Sequence, residues 1–446
     1  VDGVVIDDRA AELTLLDEVY DELHPICRSI TGAGLRQSLD IVGRHLPLRR
    51  IQVPTGTEVL DWDIPEEWVI RDAWLEGPDG ERLASFADSN LSVVNYSAPV
   101  DGTFDLEDLQ PHLYSDPALP AATPYVTSYY SRRWGFCLPH HVRAALLPGR
   151  YRAYVDSDFV AGGLDFGDLV LQGATDREIL LSTYLCHPSL ANNELSGPLV
   201  AILLHRRLAR WPHRRFTYRF VVAPETIGAI AYLAAHGDEL RERLHAGLVL
   251  TCLGGPDRPL NYKRSRRGDA PVDVVVHQLM ESGGLAAEMR PFDPSEGSDE
   301  RQYCSPGFDL PVGQAARMVY GRYPEYHSSA DTKELMGIAA LQQSADDVER
   351  ILRGLELDGY YVNLRPYGEI KLDRHGLYPP VNAPGSQARS MDALRRVRFI
   401  LNWSDGRHLL SDVARRCGCS LLDLADAVAQ LVELGLLAGP FEQRQP

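Results

Sequence analysis

Four short segments hold the side chains that could do chemistry. Residues 182–197, STYLCHPSLANNELSG, end a β-branched and aromatic run at Cys186-His187-Pro188. RFVVAPETIGAIAYL places Glu225 directly after another such run. GSDERQYCSPG (297–307) contains Asp299 and Glu300, and YPEYHSSAD (323–331) contains His327. Imidazole nitrogen and carboxylate oxygen are ligands that Zn²⁺ favours, and two histidines, a carboxylate and an open water position form a catalytic set. Singly, each residue also has an ordinary use. A strand-end histidine is commonly a hydrogen-bonded structural residue, Glu225 favours the dipole of a helix it opens, and Asp331 before Thr332 makes a turn or cap. Their joint order favours the metal site.

The elements that must position them alternate. REILLSTYLCH reads as a strand, SGPLVAILLHRRLAR as an amphipathic helix, FTYRFVVAPE as a strand and TIGAIAYLAAHGDELRERL as a helix. AGLVLTCLGG, PVDVVVHQLMES and DLPVGQAARM continue as strand, helix and strand. Such alternation predicts a mostly parallel sheet with right-handed crossovers, and the carboxyl ends of its strands form the ligand crevice. His187 and Glu225 fall at those ends. Upstream, residues 10–46 show helical spacing broken at Thr31-Gly32-Ala33-Gly34, and from about 50 to about 160 short β-prone runs alternate with Pro, Gly and Asp turns. Downstream, 365–390 reads as a linker. MDALRRVRFILNW, LLSDVARRCG and SLLDLADAVAQLVELGLL then give three helices, the last two joined by a tight Cys-Gly-Cys turn, which is helix-turn-helix texture.

Composition excludes several classes. A chain of 446 residues, 44% of them apolar, predicts two or three domains with a sizeable core. The net charge of -17 argues against a general binder of nucleic acid or anionic membrane. Seven sparsely spaced cysteines do not make a disulfide scaffold and predict a reducing, cytoplasmic compartment. VDGVVIDDRAAEL lacks the build of a signal peptide, and no apolar run approaches the length of a membrane span. The sequence has no G-x-S-x-G, P-loop, G-x-G-x-x-G or H-E-x-x-H, and Cys417-Gly-Cys419 is too short for half a zinc finger.

The order of His, Ser-Gly helix, strand-end Glu, Ser-Asp and Tyr-His-x-x-x-Asp resembles the zinc aminopeptidases of the M28 type. More closely, the chain resembles a bacterial aminopeptidase-like family of unknown function. CHPSLANNELSG, RFVVAPETIGAIAYL, GSDERQYCSPGFDLP, YPEYHSSAD, DWDIPEEWVIRDAW and PYVTSYYSRRWGFC carry that resemblance across nearly the whole chain. It implies a phosphorylase/aminopeptidase-like α/β domain, a mixed sheet flanked by helices, over residues 1–48 and 162–372. A β-rich domain inserted over 49–161 and a winged-helix-like domain over 385–446 complete the expected architecture.

Residue by residue, the resemblance implies His187 as the first histidine ligand and His327 as the last. The bridging aspartate falls on Asn193, the Glu-Glu pair of base and ligand on Glu225-Thr226, and a further acidic ligand near Cys252. A neutral amide does not bridge two ions as a carboxylate does, threonine is a poor zinc ligand, and a strand-end cysteine is commonly buried and inert. One zinc rather than two is therefore expected, held by His187, His327 and a carboxylate such as Asp299 or Glu225, with Glu225 the general base unless it is itself the ligand. For the substrate, Asn193 or Tyr326 would donate to an oxyanion, and Asp299 and Glu300 would hold an α-ammonium group. Arg317, Arg301 or Arg133 would take a carboxylate, Tyr303 would add a contact, and Trp134 with Tyr129 and Tyr130 would line the cleft from the inserted domain. The activity implied is hydrolysis of a peptide or small-molecule amide. Acyl transfer or cyclisation on a metabolite or sugar, and a metal-free binding protein, are the other two readings.

The expected recognition helix, Ser420 to Leu437, contains Asp423, Asp426 and Glu433 and neither Lys nor Arg. Such a helix repels phosphate, so self-association into a homo-oligomer is expected of the end domain rather than nucleic-acid binding. Titration against duplex DNA should accordingly show weak affinity that hardly changes with salt; a steep salt slope would contradict this.

Overall fold

The structure, a computed structural model, describes residues 2–377 and 387–445, and in the helices that begin at Asp2 and Gln387 it describes the side chains from Asp8 and Met391 onward. The expected linker 365–390 and end domain 385–446 thus lie partly outside the described residues. Two units are present: Val1–Arg267 with Arg290–Ala345, and Gly268–Met289 with Asp346–Pro446.

In the first unit, the strands Arg49–Pro54, Gly163–Leu171, Thr217–Ala223, Glu178–Tyr184, Leu244–Leu250, Val312–Ala316 and Leu260–Lys263 lie side by side in that order. The central strands, from Thr217–Ala223 to Val312–Ala316, are mutually parallel. Glu178–Tyr184 and Thr217–Ala223 are buried along their whole length, which is why they read as unbroken apolar runs rather than alternating ones. The flanking strands are antiparallel, so the sheet is mixed, with its parallel part at the centre. Arg49–Pro54, which sequence texture assigns to the inserted segment, pairs with Gly163–Leu171 in this sheet instead. The pair Pro54↔Gly163 marks where the chain leaves the sheet and where it returns.

Glu178–Tyr184 has the next parallel strand in sequence on one side and the one after on the other. That reversal opens a crevice at the carboxyl end of the strand, where open α/β sheets bind ligands. Residues 185–195 leave the sheet there and feed the helix Ser196–Ala209. Gly197 permits the junction, because a Cβ would fall 2.1 Å from Thr183 Oγ1 and 2.4 Å from the Leu250 carbonyl oxygen.

The inserted segment forms a hairpin, Glu58–Val59 with Trp62–Asp63, and an antiparallel sheet ordered Arg82–Ser85, Glu67–Glu76, Arg150–Val160, Val100–Asp105. Its backbone is joined to the 323–331 loop. Tyr125 N donates to His327 O at 2.7 Å, and Ser329 N donates to Thr123 O at 2.8 Å.

The second unit contains the helices Pro271–Glu281, Gln387–Trp403, Leu410–Cys417 and Ala425–Glu433, with a sheet ordered Asp405–Leu409, Tyr360–Asn363, Leu437–Phe441. This is a winged helix. The expected single helix Ser420–Leu437 divides into a 3₁₀ turn at Leu421–Leu424, the helix Ala425–Glu433 and a wing strand, because Gly435 turns the chain at φ +63°. Among the described residues, no helix is long and apolar enough to cross a membrane.

Two buried ion pairs tie the first unit together. Arg219 forks onto Glu178 of the adjacent strand at 2.5 and 2.8 Å. Lys263 lies 3.0 Å from Glu300, both side chains fully buried, and also donates to the carbonyls of Asp293 and Glu296. Lys263→Met would strand a buried carboxylate, so urea unfolding should show a loss of about 3–5 kcal/mol. Adding Glu300→Gln should recover part of it.

Candidate active site

The chain after Tyr184 does not enter its helix directly. Ala191–Leu195 forms a π-helical turn first, a distortion that often marks functional sites. Asp331 holds the turn: its Oδ1 accepts from Asn192 N at 2.8 Å and its Oδ2 from Asn193 N at 2.9 Å. The turn carries Glu194 back over the strand end. One Glu194 oxygen accepts the Cys186 N–H, and the other pairs with His187 Nδ1 at 2.8 Å. Buried Arg28 backs them, its Nε 3.7 Å from Glu194 Oε1 and 3.1 Å from the His187 carbonyl oxygen to which it donates. With Nδ1 engaged, His187 Nε2 faces Glu225 Oε2 at 3.8 Å. A carboxylate on one ring nitrogen is the usual way a protein orients a metal-binding histidine.

Glu225 stands on a strained turn. Thr226 has φ 64° and ψ -75°, and Ile227 N donates to Glu225 O at 2.8 Å. This is the rare form of γ-turn, at a β-branched residue, and such strain costs on the order of 1–3 kcal/mol. Asp299 Oδ1 steadies it by accepting from Thr226 N at 2.7 Å, and Ser298 Oγ donates to Glu225 Oε1 at 2.7 Å. The other Asp299 oxygen is buried without a partner. Burial, then the neighbouring Glu225, push the Asp299 carboxyl well above its ordinary range. Burial likewise raises Glu225, against the opposing pull of His187 and Ser298.

His327 completes the group. Its ring lies 5.3 Å from that of His187, and Tyr125 meets both edge-on at 5.1 Å (His187) and 5.3 Å (His327). Tyr326 stacks on His327 at 3.9 Å. His327 Nε2 is buried without a hydrogen-bond partner. Burial, then His187, pull the His327 pKa down to about 3. His187 moves the opposite way: burial lowers it, but Cys186 and Glu194 outweigh that and hold it well above its ordinary value. Since burial pushes the Cys186 thiol up to about 11, the charge that holds a His187 imidazolium is that of Glu194.

The structure thus gathers His187, His327, Glu225, Asp299, Tyr326 and Asn193 around the crevice. Asn193 has an altered role. Its amide nitrogen donates to Tyr184 Oη at 2.9 Å, and its Oδ1 is the buried atom left unpartnered. That free atom is an acceptor, which suits a cation better than an oxyanion. Four expected substrate contacts are engaged elsewhere. Glu300 oxygens take Lys263, Ser298 N and Gln314. Tyr303 pairs with Ser182 Oγ at 2.9 Å inside the core. Arg317 donates to Ser344 Oγ at 2.6 Å and to the Arg258 carbonyl. Trp134 stacks on His112 at 3.7 Å within the inserted segment, and from that segment it is Tyr125 that reaches the histidines. Cys252 is a buried thiol pushed up to about 12 by burial.

Among the described residues, donor atoms of Cys186, His187 and Glu194 lie within 4.8 Å of one another. Their own hydrogen bonds knit this trio together, so an ion among them would have to displace the Nδ1–Glu194 bond. The outer face is different: among the described residues, His187 Nε2, His327 Nε2 and Asp299 Oδ2 have no hydrogen-bond partner that would have to be displaced, and imidazole nitrogen with carboxylate oxygen is the ligand chemistry of zinc, but the three atoms are not all within 4.8 Å of one another, so they would have to draw together around an ion. Glu194 and Tyr125 are the contributors that sequence spacing does not reveal; Asp331, the aspartate of Tyr-His-x-x-x-Asp, holds the π-helical turn. The only acid in CHPSLANNELSG was the available signal for the first.

Residues 17–358 match a domain of unknown function, DUF4910, and residues 359–439 match a winged helix-turn-helix. A Clostridium acetobutylicum protein, provisionally described as a polysaccharide biosynthesis protein with an aminopeptidase-like domain, is 38% identical over 423 residues, 94% of this chain and 96% of that protein. A crystal structure of a provisionally assigned peptidase from Clostridium acetobutylicum superposes with a TM-score of 0.87 at 35% identity, covering 98% of this chain and 99% of that one. A zinc aminopeptidase of Bacillus subtilis shares the fold, with a TM-score of 0.55 at 13% identity over 76% of this chain and 93% of that one.

In chelator-treated protein, imidazole ¹⁵N shifts should show His187 protonated on both nitrogens at pH 7 and His327 neutral down to about pH 4. Unfolded His327 takes a proton near pH 6.5 and folded His327 only near 3, so this residue's share of stability is lost as pH falls between those values. A His327 that titrates near 6.5 in the folded protein would contradict its burial.

Proposed function

Because the chain belongs to the DUF4910 family with a winged helix-turn-helix, on an aminopeptidase-like scaffold, we propose that it hydrolyses an amide using one zinc ion held by His187, His327 and Asp299. The observation that carries this is the Glu194–His187 hydrogen bond. It turns His187 Nε2 outward toward Glu225, while His327 presents a buried Nε2 with no partner. Asn193 in place of a bridging carboxylate supports one ion rather than two.

When bound, zinc supplies a Lewis acid that polarises the carbonyl and makes water nucleophilic at neutral pH. Glu225 accepts the water proton and returns it to the leaving amine. Ser298 on Oε1 leaves Oε2 for that exchange, and burial moves the carboxyl toward the working pH. Tyr326, half-buried on His327, is the donor assigned to the developing oxyanion. Tyr125 covers both imidazoles and keeps bulk water off them.

Metal analysis should find close to one zinc per chain, and chelation should abolish hydrolysis of aminoacyl amides. His187→Ala should lose both metal and activity. Glu194→Gln should weaken metal binding about 10–100-fold, and Glu225→Gln should keep the metal while kcat falls about 10²–10⁴-fold. Absence of metal from the purified protein, together with unchanged activity in His187→Ala, would sink the hydrolase.

A further inference from the structure

Within the inserted segment, large aromatic side chains face solvent beside the site. Trp62 is 37% and Tyr130 56% exposed, and their rings meet edge-on at 5.4 Å. Beside them lies a cavity of about 230 Å³, walled by Tyr96, Tyr129, Tyr130 and Phe159 with Glu66 and Arg132 among its polar groups. It falls below the roughly 300–1,000 Å³ of clefts for drug-sized ligands, which suits a single small ring. The Arg132 guanidinium lies 3.4 Å over the Phe159 ring and is paired with Glu66. A stacked, paired guanidinium loses little freedom when it donates to a ligand.

Aromatic residues lie between the cavity and the candidate active site. Tyr130 packs against Tyr129 at 6.5 Å between ring centres, and the Tyr129 and Tyr125 hydroxyls share a 2.5 Å hydrogen bond. Tyr125 in turn sits on His187 and His327. A ligand seated against Tyr129 and Tyr130 is therefore separated from the histidines by Tyr129 and Tyr125.

The chemistry of the walls selects the ligand. Aromatic faces take the C–H face of a pyranose, while phenol, carboxylate and guanidinium groups at the edges exchange hydrogen bonds with its hydroxyls. A quaternary cation would also suit an aromatic cage, but Arg132 already occupies the face of Phe159. Glu66 disfavours an acidic ring. We propose that this cavity is a saccharide subsite that holds a neutral pyranose ring against Tyr130 and Arg132. The binding of the ring does not rest on the hydrolase proposed above.

Saturation-transfer NMR on the full chain, with N-acetylglucosamine and N-acetylgalactosamine as probes, tests this. Transfer to the ring C–H protons is expected, and it should persist after chelation and in His187→Ala. Tyr130→Ala and Arg132→Ala should each raise Kd about tenfold, the effect of losing one wall of the cavity, with the circular dichroism spectrum unchanged. Neither sugar binding the wild type, or binding that is unaltered in both variants, would overturn the subsite. So would tetramethylammonium binding at the cavity without competition from the sugars. Sugar binding that depends on Tyr130 and Arg132, without amide hydrolysis by zinc-loaded protein, would uphold the subsite and remove the hydrolase.

Discussion

The site depends on one hydrogen bond, Glu194 to His187 Nδ1, 2.8 Å long and closed to water. A buried carboxylate is costly unless it is paired and hydrogen-bonded. Here the Cys186 N–H and the Arg28 guanidinium share that duty with the imidazole. The arrangement leaves His187 one orientation, with Nε2 toward Glu225. The π-helical turn exists to deliver Glu194, and Asp331 exists in this fold to hold that turn.

Strain gathers around the same place. Ser189, Thr226, Cys252 and His327 all take positive φ without being glycine. Each follows a central strand or lies in the loop that closes over the crevice. Asp299 locks Thr226, and the backbone bond from Tyr125 locks His327. Strain of this kind persists where surrounding structure over-determines it, and the fully buried parallel strands provide that rigidity. The result is a pair of buried lone pairs, on His327 and Asp299, that no described residue satisfies.

The inserted segment is part of this construction. It leaves and rejoins the central sheet at Pro54 and Gly163, and its backbone pairs with the His327 loop. Tyr125 is delivered by that pairing, so the same contact that fixes the loop also covers the histidines. Trp134 belongs to a separate stack with His112, Phe104 and Phe136 that supports the segment's interior.

Periodicity and turn chemistry are local, and they carried the alternation of strands and helices, the carboxyl edge of the sheet, the helix-turn-helix end, and His187, Glu225 and His327 as residues at that edge. What local pattern cannot carry is a partner distant in sequence. Glu194 reads as part of a helix start until the π-helical turn and Asp331 set its direction. Glu300 and Arg317 read as binding residues until Lys263 and Ser344 engage them in the interior. The spacing of CHPSLANNELSG put an imidazole at the strand end by itself; which of its nitrogens faces the crevice was decided only in three dimensions, because a buried ring takes the orientation that its carboxylate partner imposes.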